Sequence, residues 1–302
     1  MANSQPVVLS IAGFDPCSGA GITADVKTIA AQNCYALTCI TALTVQSTNG
    51  VLEVQAVSPG LVADTLHELA KDFDIAAIRI GMLGSGEIVD VVADFLKKRK
   101  SPNVVLDPIF KSSSGAPLLQ SKAIQQLRSL LLPLSTVITP NADEATMLTG
   151  LPVSTVAEMK AAANRLHEFG ARQVVVTGGD TSNGQPGKAI DLLSIAGSIA
   201  GNIPGNSGPG NGGAWQQEFA SDRLRSRSTH GTGCAFASAL AANLALGKQL
   251  SDAVVLSKAY VKKAIASAHP LGRGGHGPLN HLYRLEEVPR PTHDTLAAAK
   301  EH

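Results

Sequence analysis

The chain has 302 residues, enough for one large core or two ordinary ones, and its 25 basic and 24 acidic side chains leave a formal charge of +1. So balanced a chain offers no basic field for nucleic acid or an anionic membrane and no acidic solvating tail, and its partners must be sought at local sites. Four cysteines without a CxxC pairing, a start at Met1-Ala2-Asn3-Ser4-Gln5-Pro6 without a basic and apolar leader pattern, and no run of about 18 apolar residues argue against a disulfide framework, a zinc ribbon and a membrane span. A soluble, cytoplasmic protein is expected.

In chain order, β-branched runs at 7–11, 36–45, 77–83, 103–110, 136–140 and 173–177 alternate with helical patterns at 21–32, 59–71, 86–100, 121–132, 143–148 and 155–169. The alternation predicts an α/β fold with a central, mainly parallel sheet flanked by helices. The stretch 195–213, with repeated Gly, Asn, Ser and Pro, reads as a flexible insertion, and edge strands are expected beside it at 191–193 and 218–225. Helices follow at 233–246, closed by Gly247, and at 252–269. The whole reads as one domain over 1–285 with a solvated tail at 286–302.

Ligands of open α/β sheets gather where strands end and helices begin, so motifs at those junctions carry most weight. Thr229-His230-Gly231-Thr232-Gly233-Cys234 runs straight into an Ala-rich helix. Its glycines let backbone N–H groups turn toward one point while the helix dipole favours an anion, which makes a phosphate cradle; an ordinary turn before a core helix is the plainer alternative. Cys234 is either a depressed-pKa thiol able to polarise a hydroxyl or a small buried residue that fits the turn. Asn141-Ala142-Asp143-Glu144 and Asp107 place an amide and carboxylates at strand ends, where they could hold Mg²⁺ or serve as first-turn helix charges. The glycine-rich turn 13–21, Asp25 in the helix after it and Gln46 at a strand end could face one pocket, the amide offering the paired donor and acceptor that a heteroaromatic ring wants.

Other patterns fail. Gly208, Gly210 and Gly213 spell GxGxxG inside the low-complexity stretch, Gly187-Lys188 is followed by Ala189 and so lacks the hydroxyl of a Walker A loop, and the eight histidines show no metal-ligand spacing.

Taken together and in order, the segments 11–16, 19–22, 24–28 and 40–46, then Ile80-Gly81-Met82-Leu83, Asp107-Pro108-Ile109, Ser114-Gly115, Ile138-Thr139-Pro140-Asn141 with Glu144, and 229–234 resemble the hydroxymethylpyrimidine and phosphomethylpyrimidine kinases of thiamine biosynthesis, within the ribokinase-like superfamily. The Cys after Gly-Thr-Gly separates that branch from the sugar kinases, and the likeness is to a fungal-type kinase domain without an additional C-terminal domain. The resemblance implies phosphorylation of 4-amino-5-hydroxymethyl-2-methylpyrimidine, and then of its monophosphate, with ATP as co-substrate and Mg²⁺ as cofactor. It implies that Gly13, Asp25, Gln46, Met82 and Ile109 line the pyrimidine pocket, with Gln46 on the ring's amino edge. It implies that Gly231, Thr232, Gly233 and Cys234 hold the transferring phosphoryl group. Asn141, Glu144, Thr177 and Thr229 would attend the nucleotide, and Asp107 with Glu144 the Mg²⁺, partly through water. A homodimer is also implied.

The chain departs from the pattern at Phe14, Cys17, Ser113, Thr177 and Asp180. A pyridoxal-type kinase of the same superfamily and a non-catalytic regulatory homologue are the rival readings. If Cys234 takes the hydroxyl proton of the first transfer, Cys234→Ala slows that step more than the second, whose nucleophile is already ionised; equal loss in separate assays of the two steps refutes a base at this position.

Overall fold

The computed structural model describes residues 5–99, 103–112, 114–178, 187–200, 213–224 and 226–286. The apolar runs form strands β1 (Val7–Phe14), β2 (Tyr35–Ser47), β3 (Gly50–Ala56), β4 (Ile75–Ile80), β5 (Val104–Leu106), β6 (Val137–Ile138), β7 (Gln173–Val176), β8 (Lys188–Ile195) and β9 (Trp215–Asp222). They make one sheet in the order β3-β2-β1-β4-β5-β6-β7-β8-β9. The middle, from β2 to β7, is parallel; β3 joins one edge antiparallel, and β8 and β9 join the other.

Side chains alternate across this sheet with the two-residue period of a strand. Leu9, Ile11, Ile78, Ile80, Val104, Leu106, Ile138, Val174 and Val176 face one core, whose other wall is helices α2 (Pro59–Asp72), α3 (Gly86–Lys97), α4 (Ser121–Leu130), α5 (Ala142–Thr149) and α6 (Val156–Glu168). Val8, Ala77, Val105, Val137, Val175 and Leu193 face the other, covered by α1 (Gly21–Ala31), α8 (Thr232–Ala245) and α9 (Leu250–Ala266). Continuous apolar runs are what a sheet buried on both faces requires. Two one-turn helices complete the described elements, α7 (Gly197–Ala200) and α10 (Tyr283–Glu286). No described helix is long and apolar enough to cross a membrane.

The order of elements follows the expectation, with differences that have physical causes. Strand β3 was not expected: its Leu52, Glu53, Gln55 and Ala56 are exposed, so an edge strand leaves no buried alternation to read. The run at 103–110 ends as a strand at Leu106, with Pro108 two residues on, unable to donate to a ladder. The edge hairpin is longer than expected on its first arm, 188–195, and lies at 215–222 on its second. Within the stretch 195–213, Ile195 closes β8 and 197–200 form α7, while 201–212 and the tail at 287–302 lie outside the described residues.

The chain leaves β1 for β2 on one side and returns to β4 on the other, so strand order reverses at β1, and the carboxyl ends of β1 and β4 are where an open α/β sheet places its crevice.

Candidate active site

The Gly-rich turn before α8 closes that crevice from above. Gly231 is the N-cap at φ 84°, in the left-handed region, and a Cβ on it would fall 1.9 Å from the Gly19 carbonyl oxygen. Across the same contact, a Cβ on Gly19 would lie 2.3 Å from His230 Cδ2. Only glycines let the turns at 15–21 and 229–233 press together this closely. No side chain caps the N-terminus of α8, so its first-turn N–H groups and the positive end of its dipole are offered to a ligand. Thr232 N–H is the one turned back, donating to the Thr229 carbonyl at 3.3 Å.

Beneath that helix end lies a buried ion cluster. Arg79, on β4, is 0% exposed; its Nη1 donates to Asp25 Oδ2 at 3.0 Å and its Nη2 to Asp107 Oδ2 at 2.7 Å. Asp25 also accepts from Ser10 at 2.6 Å and from Ser238 of α8 at 2.7 Å. Both oxygens of Asp25 are thus engaged inside the protein, and the residue expected at the pyrimidine pocket is seated in this cluster instead. Gly81 makes room for the guanidinium, since a Cβ there would fall 1.9 Å from Nη1.

Burial raises the carboxyls of Asp25 and Asp107 against the pull of Arg79, that of Asp107 to about 6 with Asp25 adding repulsion. The second oxygen of Asp107 faces Gly233, 4.0 Å from where a Cβ would stand. Cys234 adjoins the same cluster, 7% exposed, and burial pushes its thiol up to about 12. That direction is the one expected of a small buried residue that fits the turn.

The crevice wall beside the cradle is apolar. Met82 packs with Ala42 and Leu118 and with the half-buried Val51, Val54 and Ile109. Gly13 abuts it so closely that a Cβ would come within 2.9 Å of Met82 Sδ, and Thr41 Oγ1 holds the Met82 carbonyl at 2.5 Å. Gly13, Met82 and Ile109 are therefore brought together. At the polar end of this wall Gln46 lies 3.2 Å from His230 Nε2, which in turn lies 2.9 Å from Asp15 Oδ2.

Asp15 ties the first turn. It accepts from the backbone N–H groups of Cys17, Gly19 and Ala20 at 2.9, 3.1 and 2.9 Å. Burial works against its charge, but His230, the Cys17 side chain and the Ala20 N–H prevail and hold the carboxyl at about 2. One oxygen, sulfur and nitrogen of Asp15, Cys17 and His230 lie within 4.8 Å of one another. Burial and Asp15 push the Cys17 thiol up to about 11, and the Asp15–His230 contact clasps the first turn to the segment before α8.

Asn141 and Glu144 form a reciprocal capping box at the start of α5: Asn141 N–H donates to Glu144 Oε2 at 2.8 Å and Glu144 N–H to Asn141 Oδ1 at 2.9 Å. Thr177 bridges to Asn141, its N–H donating to the Pro140 carbonyl at 2.9 Å. The turn after it is pinned from behind: Gly178 N–H donates to Asp191, which pairs with Lys258 of α9 at 2.6 Å. Asp180 and Ser113 lie outside the described residues.

The family model described as phosphomethylpyrimidine kinase matches residues 15–203 and 212–280. The chain belongs to this family. A hydroxymethylpyrimidine/phosphomethylpyrimidine kinase of Haemophilus influenzae is 39% identical over 275 residues, 91% of this chain and 96% of that one. A thiamine biosynthesis bifunctional protein of Geobacter sulfurreducens is 40% identical over 93% of this chain, which spans only 53% of that relative's length. Among solved structures, a Bacillus subtilis pyridoxal kinase with ADP superposes at TM-score 0.79 with 31% identity, covering 93% of this chain and 100% of that one. A phosphomethylpyrimidine kinase from Clostridium difficile does so at 0.70 with 32% identity, covering 86% and 100%. These neighbours place the chain among the ribokinase-like folds.

The partners of Arg79, Asp15, His230, Asp191 and Lys258 were not legible in the sequence. A lone Arg inside Ile78-Arg79-Ile80 gives no local sign of partners 54 and 28 residues away. Asn141 with Glu144 three residues on did carry a readable sign, that of a capping box.

Because the Asp15 carboxyl is lowered from its ordinary 3.8 to about 2, its contribution to stability is complete above pH 3.8 and lost as pH falls through about 2. Asp15→Asn is expected to be less stable at pH 7 and to lose about 2 kcal/mol less than the parent between pH 4 and pH 2, measured by urea unfolding at each pH.

Proposed function

We propose that this protein phosphorylates 4-amino-5-hydroxymethyl-2-methylpyrimidine on its hydroxymethyl group and then phosphorylates the monophosphate to the diphosphate, with ATP as phosphoryl donor. The observation that carries the reading is the uncapped N-terminus of α8, set by a left-handed Gly231 directly beside the apolar wall of Gly13, Met82 and Ile109. An anion end and a flat-ring end share one crevice at the point where strand order reverses. Relatives at 37–39% identity that are named hydroxymethylpyrimidine/phosphomethylpyrimidine kinases support pyrimidine as the ring.

Phosphoryl transfer asks a protein for alignment and charge stabilisation more than for covalent chemistry. The backbone from Gly231 to Cys234 would receive the transferring group, with the dipole of α8 opposing the charge that builds on its oxygens. Thr229, Asn141, Glu144 and Thr177 would edge the nucleotide site. Asp107 and Glu144 are the oxygen donors that a hard ion such as Mg²⁺ takes, and the Asp107 oxygen facing Gly233 points toward the cradle. Mg²⁺ held there would neutralise phosphate charge. With its thiol held protonated, Cys234 serves by packing and through its backbone N–H, so Cys234→Ala should slow both transfers alike.

The structural likeness to pyridoxal kinases supports a second reading, a hydroxymethyl pyridine as substrate. A regulatory homologue is disfavoured by an intact cradle. All four cysteines are free, in keeping with work in the cytoplasm. The homodimer fits the exposed Leu43, Val45 and Leu52 of the β2–β3 edge.

Incubation of the purified protein with Mg-ATP and the hydroxymethylpyrimidine, its monophosphate or pyridoxal, with products resolved by mass, is expected to yield the pyrimidine mono- and diphosphates. Turnover of pyridoxal alone would replace this reading with the second; binding of the pyrimidine without turnover would support the regulatory one.

A further inference from the structure

The amide of Gln46 is held by two neighbours. One of its terminal atoms stands 3.2 Å from His230 Nε2 and the other 3.2 Å from Thr44 Oγ1. Which is nitrogen and which oxygen follows from where the protons are. Asp15 Oδ2, 2.9 Å from His230 Nε2, belongs to a carboxylate that already accepts three backbone N–H groups. A carboxylate so engaged accepts from its fourth neighbour as well, so Nε2 of His230 carries the proton. Thr44 has a single hydroxyl proton, and the Phe14 carbonyl, at 2.9 Å, takes it. Toward Gln46, then, Nε2 of His230 cannot accept and can only share the proton it gives Asp15, while Thr44 can only accept. With the amide nitrogen on the His230 side, two donors would face each other, and Oε1 would face a hydroxyl whose proton is spent. The orientation related by 180° about the terminal bond exchanges two atoms of nearly equal size, gives the Thr44 oxygen an amide donor and sets Oε1 beside the Nε2 proton shared with Asp15.

We infer that Asp15, His230 and Thr44 are positioning residues that lock the Gln46 amide with its oxygen toward His230 and its nitrogen toward Thr44, and that this lock selects the ring the kinase accepts. The selectivity part rests on the reading that Gln46 meets the ring edge. A locked amide presents one remaining acceptor and one remaining donor in fixed places, which suits a ring nitrogen beside an exocyclic amino group. A free amide could turn to suit a pyridine bearing an oxygen there. Discrimination by buried polar groups is strong because the wrong ring leaves them unpaired. The lock is built from a turn, a strand and the cradle segment, so the ring end of the crevice is set by the same contact that forms its anion end.

Two measurements test this. In the ligand-free protein, nitrogen-15 NMR should show His230 protonated at Nε2 at neutral pH, with Gln46 side-chain amide protons close to the Thr44 methyl group. An unprotonated Nε2, or amide protons close to the imidazole, overturns the lock whatever the protein phosphorylates. In kinetics, His230→Met and Thr44→Val should each lower kcat/KM for the aminopyrimidine by about tenfold or more relative to pyridoxal while leaving KM for ATP within about twofold, and His230→Gln and Thr44→Ser, which keep the donor and acceptor, should retain most of the selectivity. An unchanged ratio of the two substrates in the folded Thr44→Val variant overturns the selectivity role. A parent enzyme inactive on the aminopyrimidine defeats the substrate reading and the selectivity role with it, and leaves the lock to be judged by NMR.

Discussion

A guanidinium with no exposure to water has to be paired or it cannot stay folded, and Arg79 meets that constraint by holding one carboxylate on each arm of its fork. The consequences spread because each partner belongs to a different element. Arg79 stands on β4, Asp25 on α1, and Asp107 just past β5, while Ser10 of β1 and Ser238 of α8 complete the shell around Asp25. Five segments distant in sequence are thereby fixed at one point, the point directly under the N-terminus of α8. A hydrophobic cluster could have held them together, but only a directional network also fixes where a helix end points.

From that point the crevice divides by chemistry. Toward α8 it is backbone N–H and glycine, the material for an anion; toward Met82 and Ile109 it is thioether and aliphatic carbon, the material for a ring face. The contact of Gly19 with His230 joins the two ends, since His230 belongs to the cradle segment and faces Gln46 across the crevice. Past the ends of β6 and β7, the capping box of Asn141 and Glu144 and the Asp191–Lys258 pair fix the turns.

Much of this was legible in the amino-acid sequence. The alternation of strand and helix, the glycine turn entering the Ala-rich α8, and the grouping of Gly13, Met82 and Ile109 could be read because each is local or is carried by a family pattern. What could not be read were partners chosen by the fold. Arg79 sits in a strand whose neighbours are Ile on both sides, and nothing there points to Asp25 or Asp107. Asp25 looked like a pocket residue because it follows a glycine turn, yet the helix turns its carboxylate inward to Arg79. Strand β3 was missed because an edge strand has no buried face to betray it.

The dependence of the site on the Arg79 fork is open to direct test by urea unfolding at pH 7 of Arg79→Met and of Arg79→Met combined with Asp25→Asn. Met nearly fills the space but leaves two buried carboxylates without a counter-charge, so a loss of about 3–5 kcal/mol is expected, part of which returns when Asp25 is made neutral. An Arg79→Met protein within about 1 kcal/mol of the parent, with the second substitution simply adding its own cost, would contradict the claim that this ion cluster holds the site together.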